Sequence, residues 1–372
     1  MEHAFGRSAP FAVGAEEELL LVEAAQPHRL DHRASAFIAR VGSPQVKPDV
    51  YEAMVEGASS ICADAPAVAG ELGRLRGALR QAGATLAGAG LHPDAPFGEA
   101  VHVPNPRYEA IHADMRGLLE RTPTCALHVH VGMPDPGTAI RVYNRLRSHL
   151  PLLQALAAHS PYWHGRDAGF ATARAQVFRG FPRAVIPRSF AGWDDYVRTV
   201  EAWAAAGGLP DYTYLWWDIR PSPALGTVEV RAMDAQSRLA TVCGLVALVH
   251  ALAAACADGH GMVEPAEILS ESSFRAGRYG LAATIWWQGA LRPLTEVATA
   301  ALALARPYAR DLGGDDALEE IERVLRDGNG ADRMRAAHAA GGMPAVLDRL
   351  VREAAEPLYG YTRTTSPIRS QL

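Results

Sequence analysis

Apolar and polar residues alternate, or β-formers cluster, in four short runs of this chain: FAVGAEEELLLVE (11–23), TCALHVHVGM (124–133), DYTYLWWDIR (211–220) and GTVEVRAMD (226–234). Each run predicts a strand. The last two are joined by Pro221-Ser222-Pro223-Ala224-Leu225, turn-forming sequence that predicts an antiparallel hairpin. Helices are predicted over 66–82, 105–120, 137–159, 193–206, 235–257, 294–312 and 332–355, with Asp135-Pro136 as a start signal for the third. The strands are not followed regularly by crossover helices, and no repeat or low-complexity block divides the chain. The expectation is one catalytic domain over 1–372, of class α+β with a largely antiparallel sheet.

Strand geometry turns the alternation into candidate chemistry. Side chains two apart on a strand share a face about 7 Å apart, so Glu16 and Glu18 point one way while Ala15, Glu17 and Leu19 point the other. Two carboxylates so placed repel unless a cation lies near them. An acidic triplet is usually a solvated surface, but the apolar flanks VG and LLLV suggest an internal strand. His128 and His130 share one face of their run, opposite Val129 and Val131; Glu229 and Arg231 share one face of theirs, opposite Val228 and Val230. A lone H-x-H pair is more often structural than a ligand, yet three such faces in one sheet would build a polar floor. The segment 47–62 adds Asp49, Glu52 and Glu56; Glu52 and Glu56 share a face if it is helical and separate if it is extended.

Composition narrows the chemistry. A net charge of −5 and a pI near 6.3 give no basic footprint for nucleic acid. Lys47 is the only lysine, so there is no phosphate-binding G-x-x-x-x-G-K-[ST] loop, and phosphate chemistry must rest on arginine and metal. A set of carboxylates with imidazole suits magnesium or manganese better than zinc. Paired metals and arginines are what phosphoryl transfer requires. The four cysteines form no C-x-x-C pair and no leader pattern opens the chain, which fits a reducing cytoplasm. Leu239 to Ala257 approaches the ~20 apolar residues of a membrane span, but its Ala and Gly content and His250 predict a buried core helix.

From about Phe11 to about Arg352 the chain resembles the YbdK-type carboxylate-amine ligases of glutamate-cysteine ligase family 2. The resemblance is carried by LWWDIRPSPALGTVEVRAMDAQ (215–236), HVHVG (128–132), VGAEEE near the start, and RAGRYGL (275–281) followed by RPLTE (292–296). It implies a glutamine-synthetase-like fold whose antiparallel sheet forms a funnel for ATP and two or three magnesium ions. It implies an acyl phosphate made from the acid and ATP, then displaced by an amine to give an amide. It further implies metal carboxylates at Glu16, Glu18, Asp49, Glu56 and Glu229, with His128 beside the phosphates and Arg231 stabilising the transferring group. His130, Arg220 and Arg278 become candidate nucleotide or phosphate contacts, Arg174 a substrate contact, and a homodimer the expected assembly.

The chain departs from the family pattern at Leu127, in place of a common glutamine, at Gly57, at Gly169, in place of a frequent arginine, and at Ser272-Ser273, in place of an Asn-Arg pair. Leu127 and Gly169 are therefore expected at the substrate rim, where lost hydrogen bonds would disfavour glutamate plus cysteine as the physiological pair. The alternatives are a metal-dependent hydrolase of amides or esters, which would leave the arginines unexplained, and a catalytically silent nucleotide sensor.

Overall fold

The first predicted strand folds as β1, Val13–Glu23, and the main sheet is built around it. The computed structural model describes residues 1–358. β2 (Gln26–Leu30), β3 (Val46–Pro48), β4 (Met54–Ala58), β5 (Leu86–Ala87) and β6 (Ala126–Gly132) follow in the chain. A small hairpin of β7 (Tyr162–Trp163) and β8 (Arg166–Asp167) stands apart, as does another of β11 (Thr284–Trp287) and β12 (Ala290–Pro293). Between them β9 (Ile219–Ser222) and β10 (Thr227–Asp234) form the expected antiparallel hairpin. The sheet runs β3-β4-β1-β6-β10-β9, with β2 and β5 pairing further along β1, and its pairings are antiparallel. This is the α+β architecture that the alternation predicts.

The two faces of β1 meet different surroundings. Val13, Ala15, Leu19 and Leu21 join Val129, Val131, Val228 and Val230 in a core shared with the helices Ala65–Gln81 and Leu239–Ala257. Glu17 falls on this apolar face, where a bare carboxylate would be strongly disfavoured. Arg76 from the helix Ala65–Gln81 meets it bidentately at 2.9 and 2.7 Å and also donates to the carbonyls of Gln236 and Ser237. On the other face, Glu16 and Glu18 give way to Leu20 and Val22, which enter a second apolar cluster with Tyr51, Met54, Ile111, Leu119 and Phe181. One face of one strand therefore passes from carboxylate to hydrocarbon within a few residues.

Helix Leu239–Ala257 is long and apolar enough to cross a bilayer, but 94% of its most apolar stretch is buried within the protein. It packs against the helices Ala65–Gln81, Pro136–Leu146, Leu294–Asp311 and Leu318–Asp327, as the core reading expects. All four cysteines are unpaired.

Several predicted boundaries move, each for a local reason. Only Ile219 and Arg220 of the run 211–220 enter a strand; Tyr212–Tyr214 form a short 3-10 turn opened by Asp211, which accepts from Thr213 N at 2.7 Å. The carbonyls of Thr213 and Leu215 accept from Arg220 instead of a neighbouring strand. The predicted helix 137–159 is Pro136–Leu146, a 3-10 turn and Leu150–Leu156, with Pro151 opening the second piece. The helix over 105–120 stops at Met115, where Arg116 adopts φ 46°. Helix Gly330–Ala355 breaks at Gly341 and Gly342, just before Pro344. Segment 47–62 is extended, so Glu52 leaves for Ser35, whose backbone N–H and hydroxyl both donate to it, while Glu56 stays in the sheet.

Candidate active site

Cross-strand register carries the alternation of single strands across the sheet. Glu18 pairs with Glu56, and Glu56 with Lys47. Glu16 lies opposite His128; His130 lies opposite Glu229, which in turn faces Arg220. Directly opposed residues share a face, so these side chains form one polar patch. In β10 the register slips between Val230 and Met233, and Arg231 N donates instead to the carbonyl of Asp218 at 2.7 Å. The extra residue lets Glu229 and Arg231 keep one face while Met233 returns to the core.

A cavity of about 260 Å³ opens over this patch, lined by Glu16, Glu18, Asp49, Glu56, His128, Arg174, Arg220 and Arg231 together with aromatic and apolar side chains. A second cavity of about 210 Å³ reaches the other side of Glu16, where His130, Thr227, Ser59, Ser60, Ile61 and Leu225 line it. Glu16 belongs to both walls. Glu229 lies beneath the floor, almost wholly buried, and accepts from Arg220 Nε at 2.6 Å and from Arg231 Nη1.

The electrostatics divide the carboxylates into two groups. Burial would raise Glu16, but hydrogen bonds and charge from His128 and His130 outweigh it and hold the group far below the usual carboxylate range. Burial would likewise raise Glu229, but the guanidiniums of Arg220 and Arg231 hold it low. Glu18 is instead pushed up to about 8 by burial and by the charge of Asp49. Burial raises Asp49, and burial with the repulsion of Glu16, Asp49 and Glu18 raises Glu56 well above its ordinary value. Burial lowers His128 to about 4, with Arg231 adding to the effect; in His130 the nearby Glu229 and Glu16 overcome burial and raise it. Crowded carboxylates that cannot all ionise comfortably are the donor set a hard divalent cation would relieve. Donor atoms of Glu16, His130 and Glu229 lie within 4.8 Å of one another, and His130 Nε2 is buried without a hydrogen-bond partner. The residues present therefore fit a divalent ion.

Not every sequence candidate reaches this place. Leu127 is fully buried on the helix-facing side of β6 and lines no substrate rim, because it alternates with His128. Gly169 adopts φ +73°, and a Cβ there would lie 2.6 Å from Arg278 Nη1. Arg278 itself lies over Phe170 and Tyr279, away from the residues lining both cavities. Ser272 accepts from Trp286 N and Ser273 donates to Gln154, both inside the protein. Gly57 faces Leu75 of the helix layer. These departures from the family pattern therefore do not alter the cavity wall. Arg220 does line the cavity, but its donors are committed to Glu229 and to two carbonyls, so it fixes Glu229 in place. Unforeseen in the sequence are Arg107, Tyr108, Phe178, Phe181 and Trp216, which also line the cavity. They come from helix and loop segments, where no alternation marks them.

Comparison with known proteins gives the family and the fold. The sequence profile of glutamate-cysteine ligase family 2 matches residues 12–353. A Rubrobacter xylanophilus protein, provisionally assigned as glutamate–cysteine ligase 2-3, is 36% identical over 95% of this chain and 100% of its own length. A glutamate–cysteine ligase of Haloquadratum walsbyi is 33% identical over 91% of this chain and 94% of its own. Among solved structures, a Francisella tularensis glutamate–cysteine ligase in complex with AMP superposes with a TM-score of 0.70 at 13% identity, covering 97% of this chain and 91% of that one. A bifunctional glutathione synthetase of Pasteurella multocida gives 0.68 at 14% identity over 93% of this chain and 52% of that one. The fold is shared at these low identities.

Proposed function

Because this chain belongs to glutamate-cysteine ligase family 2, and so to the ATP-dependent ligases that form carbon–nitrogen bonds, we propose that it joins a carboxylic acid to an amine through an acyl phosphate. The observation that carries this reading is the convergence of Glu16, Glu18, Asp49 and Glu56 with His128 and Arg231 on one cavity, with Glu229 and His130 directly behind. Magnesium or manganese ions, two or three in number, would be held by Glu16, Glu18, Asp49, Glu56, Glu229 and His130, and would supply neutralising charge to the phosphate oxygens.

The nucleotide enters from the second cavity, whose largely apolar walls suit a base and whose Glu16 boundary lies next to the acidic floor. A carboxylate oxygen of the acid attacks the γ-phosphorus, the bond to the bridging oxygen breaks, and ADP departs. The amine then attacks the acyl carbon and expels phosphate, losing a proton as the amide forms. Arg231, held by Glu229 at the cavity edge, meets the charge that develops on the transferred group. His128 Nδ1 lies 3.4 Å from Glu16 and 3.5 Å from Arg231 Nη1, and engages one of them at a time, donating to the carboxylate when protonated and accepting from the guanidinium when not. Arg174 is left as the substrate contact, since Arg220 is committed within the protein.

The test is ADP formation with magnesium across a matrix of acids and amines, with hydroxylamine added to trap the activated acyl group as a hydroxamate. Amide and ADP in equal amounts, and a hydroxamate when the amine is left out, are expected. Amide cleavage that needs no ATP would overturn the reading in favour of the hydrolase. The reading also carries a single catalytic domain, a homodimer and a cytoplasmic setting as proposals; light scattering on the purified chain checks the assembly.

A further inference from the structure

Part of the wall of the 260 Å³ cavity has a chemistry different from that of the carboxylates. Phe178 meets Phe181 edge-on at 5.4 Å between ring centroids, and Phe181 meets Trp216 edge-on at 6.2 Å, so three rings stand in succession along the cavity. Arg174 lies over Phe178 at 5.4 Å and Arg183 over Trp216 at 5.2 Å, one guanidinium at each end of the row. Phe178 and Trp216 are only half-buried, although both line the cavity. Such a surface is best covered by an apolar ligand group.

Arg174 supplies the second recognition element. It is 4% exposed, lines the same cavity, and its Nε has no hydrogen-bond partner. Asp234, 3.8 Å from Nη1, is already engaged by the Ser160 and Thr172 hydroxyls and by His159 N. A buried guanidinium with a free donor beside a phenyl ring suits a ligand that carries a carboxylate and an apolar group on one short framework. The side chain of cysteine would leave most of the three-ring wall bare.

We propose that the amine substrate is an α-amino acid with an aromatic or bulky apolar side chain: its carboxylate is held by Arg174, its side chain rests on Phe178, Phe181 and Trp216, and its amino group points to the carboxylate floor. The proposal rests on the ligase reading, and it names the substrate class that this reading leaves open.

Binding is measured by calorimetry on the full chain with magnesium and a non-hydrolysable ATP analogue, using phenylalanine, alanine, cysteine and phenethylamine as probes. Phenylalanine is expected to bind at least about tenfold more tightly than alanine or cysteine, which lack the ring, and than phenethylamine, which lacks the carboxylate. Phe178→Ala should erase the advantage over alanine, and Arg174→Gln the advantage over phenethylamine. Circular dichroism checks folding, and Phe178→Leu with Arg174→Lys, milder changes, should give intermediate losses. Equal binding of phenylalanine and alanine, tighter binding of cysteine, or no binding of phenylalanine would overturn the proposal. Selective binding of phenylalanine without ADP formation against any acid would instead overturn the ligase reading, so the two failures are told apart.

Discussion

Glu229 joins the two halves of the polar patch. It faces His130 across one strand pair and Arg220 across the other, and it accepts from Arg231 on its own strand. Glu229→Gln keeps the shape but leaves the guanidiniums of Arg220 and Arg231 without a carboxylate. A fall in kcat of at least about 10²-fold is expected, read as ADP release at saturating substrates. A variant retaining more than a tenth of wild-type turnover would remove Glu229 from the site. Arg231→Lys keeps a charge but loses the fork that reaches Glu229 and the cavity together, so it should also lower kcat while leaving the melting temperature nearly unchanged. At this scale the sequence was informative where strands alternate. His128, Glu16, Glu18 and Arg231 share a face because period 2 requires it, and the same rule shows why Leu127, next to His128, cannot belong to the site.

Among elements, the junction of β1 with the helix Ala65–Gln81 depends on one ion pair. Glu17 and Arg76 are each 2% exposed, and Arg76 also satisfies the carbonyls of Gln236 and Ser237, just beyond β10. Arg76→Ala strands a buried carboxylate and should cost about 3 to 5 kcal/mol in urea unfolding. The double variant Glu17→Met, Arg76→Met should recover much of that loss; if it is no more stable than the single one, the pair is not the cause. The β9–β10 hairpin has a backbone requirement of its own. Gly226 adopts φ +68°, and a Cβ there would lie 2.4 Å from the carbonyl oxygen of Ala4. Gly226→Ala is therefore expected to destabilise by more than about 1 kcal/mol, measured in the same way. Element limits were harder to read than faces. The run 211–220 has strand composition, yet its backbone acceptors are taken by Arg220, a tertiary contact that no local pattern shows. Trp216 reached the cavity wall through that irregular backbone, which is why alternation did not identify it.

For the whole molecule, buried histidines away from the cavity floor link stability to pH. Burial lowers His92, His149 and His159 to about 4 each. His92 Nδ1 accepts from Asp94 N and Ala95 N, and neither nitrogen of His149 has a partner, so charging either ring is opposed. Unfolded chains take up these protons near pH 6.5, folded ones only near pH 4. Stability from this source is therefore complete above about pH 6.5 and fades as pH falls toward 4, by up to roughly 3 kcal/mol per histidine. The raised carboxylates Glu18 and Glu56 act in the opposite sense over the same window, so the contribution is read as a difference. His149→Phe should lose less melting temperature than the wild type between pH 7 and pH 5, and identical profiles would contradict this.

Glu16 forms part of two cavity walls, and that shared position bears on the order in which reactants arrive. Under the proposed placement, nucleotide on the His130 side and amino acid on the Trp216 side would not share one doorway. On that placement neither needs to wait for the other to load. Calorimetry should therefore show nucleotide and amino acid each binding the protein without the other, with no compulsory first binder; binding of either only after the other would contradict this. Departure of amide and of nucleotide should be separately tunable, by changes on opposite sides of a single glutamate.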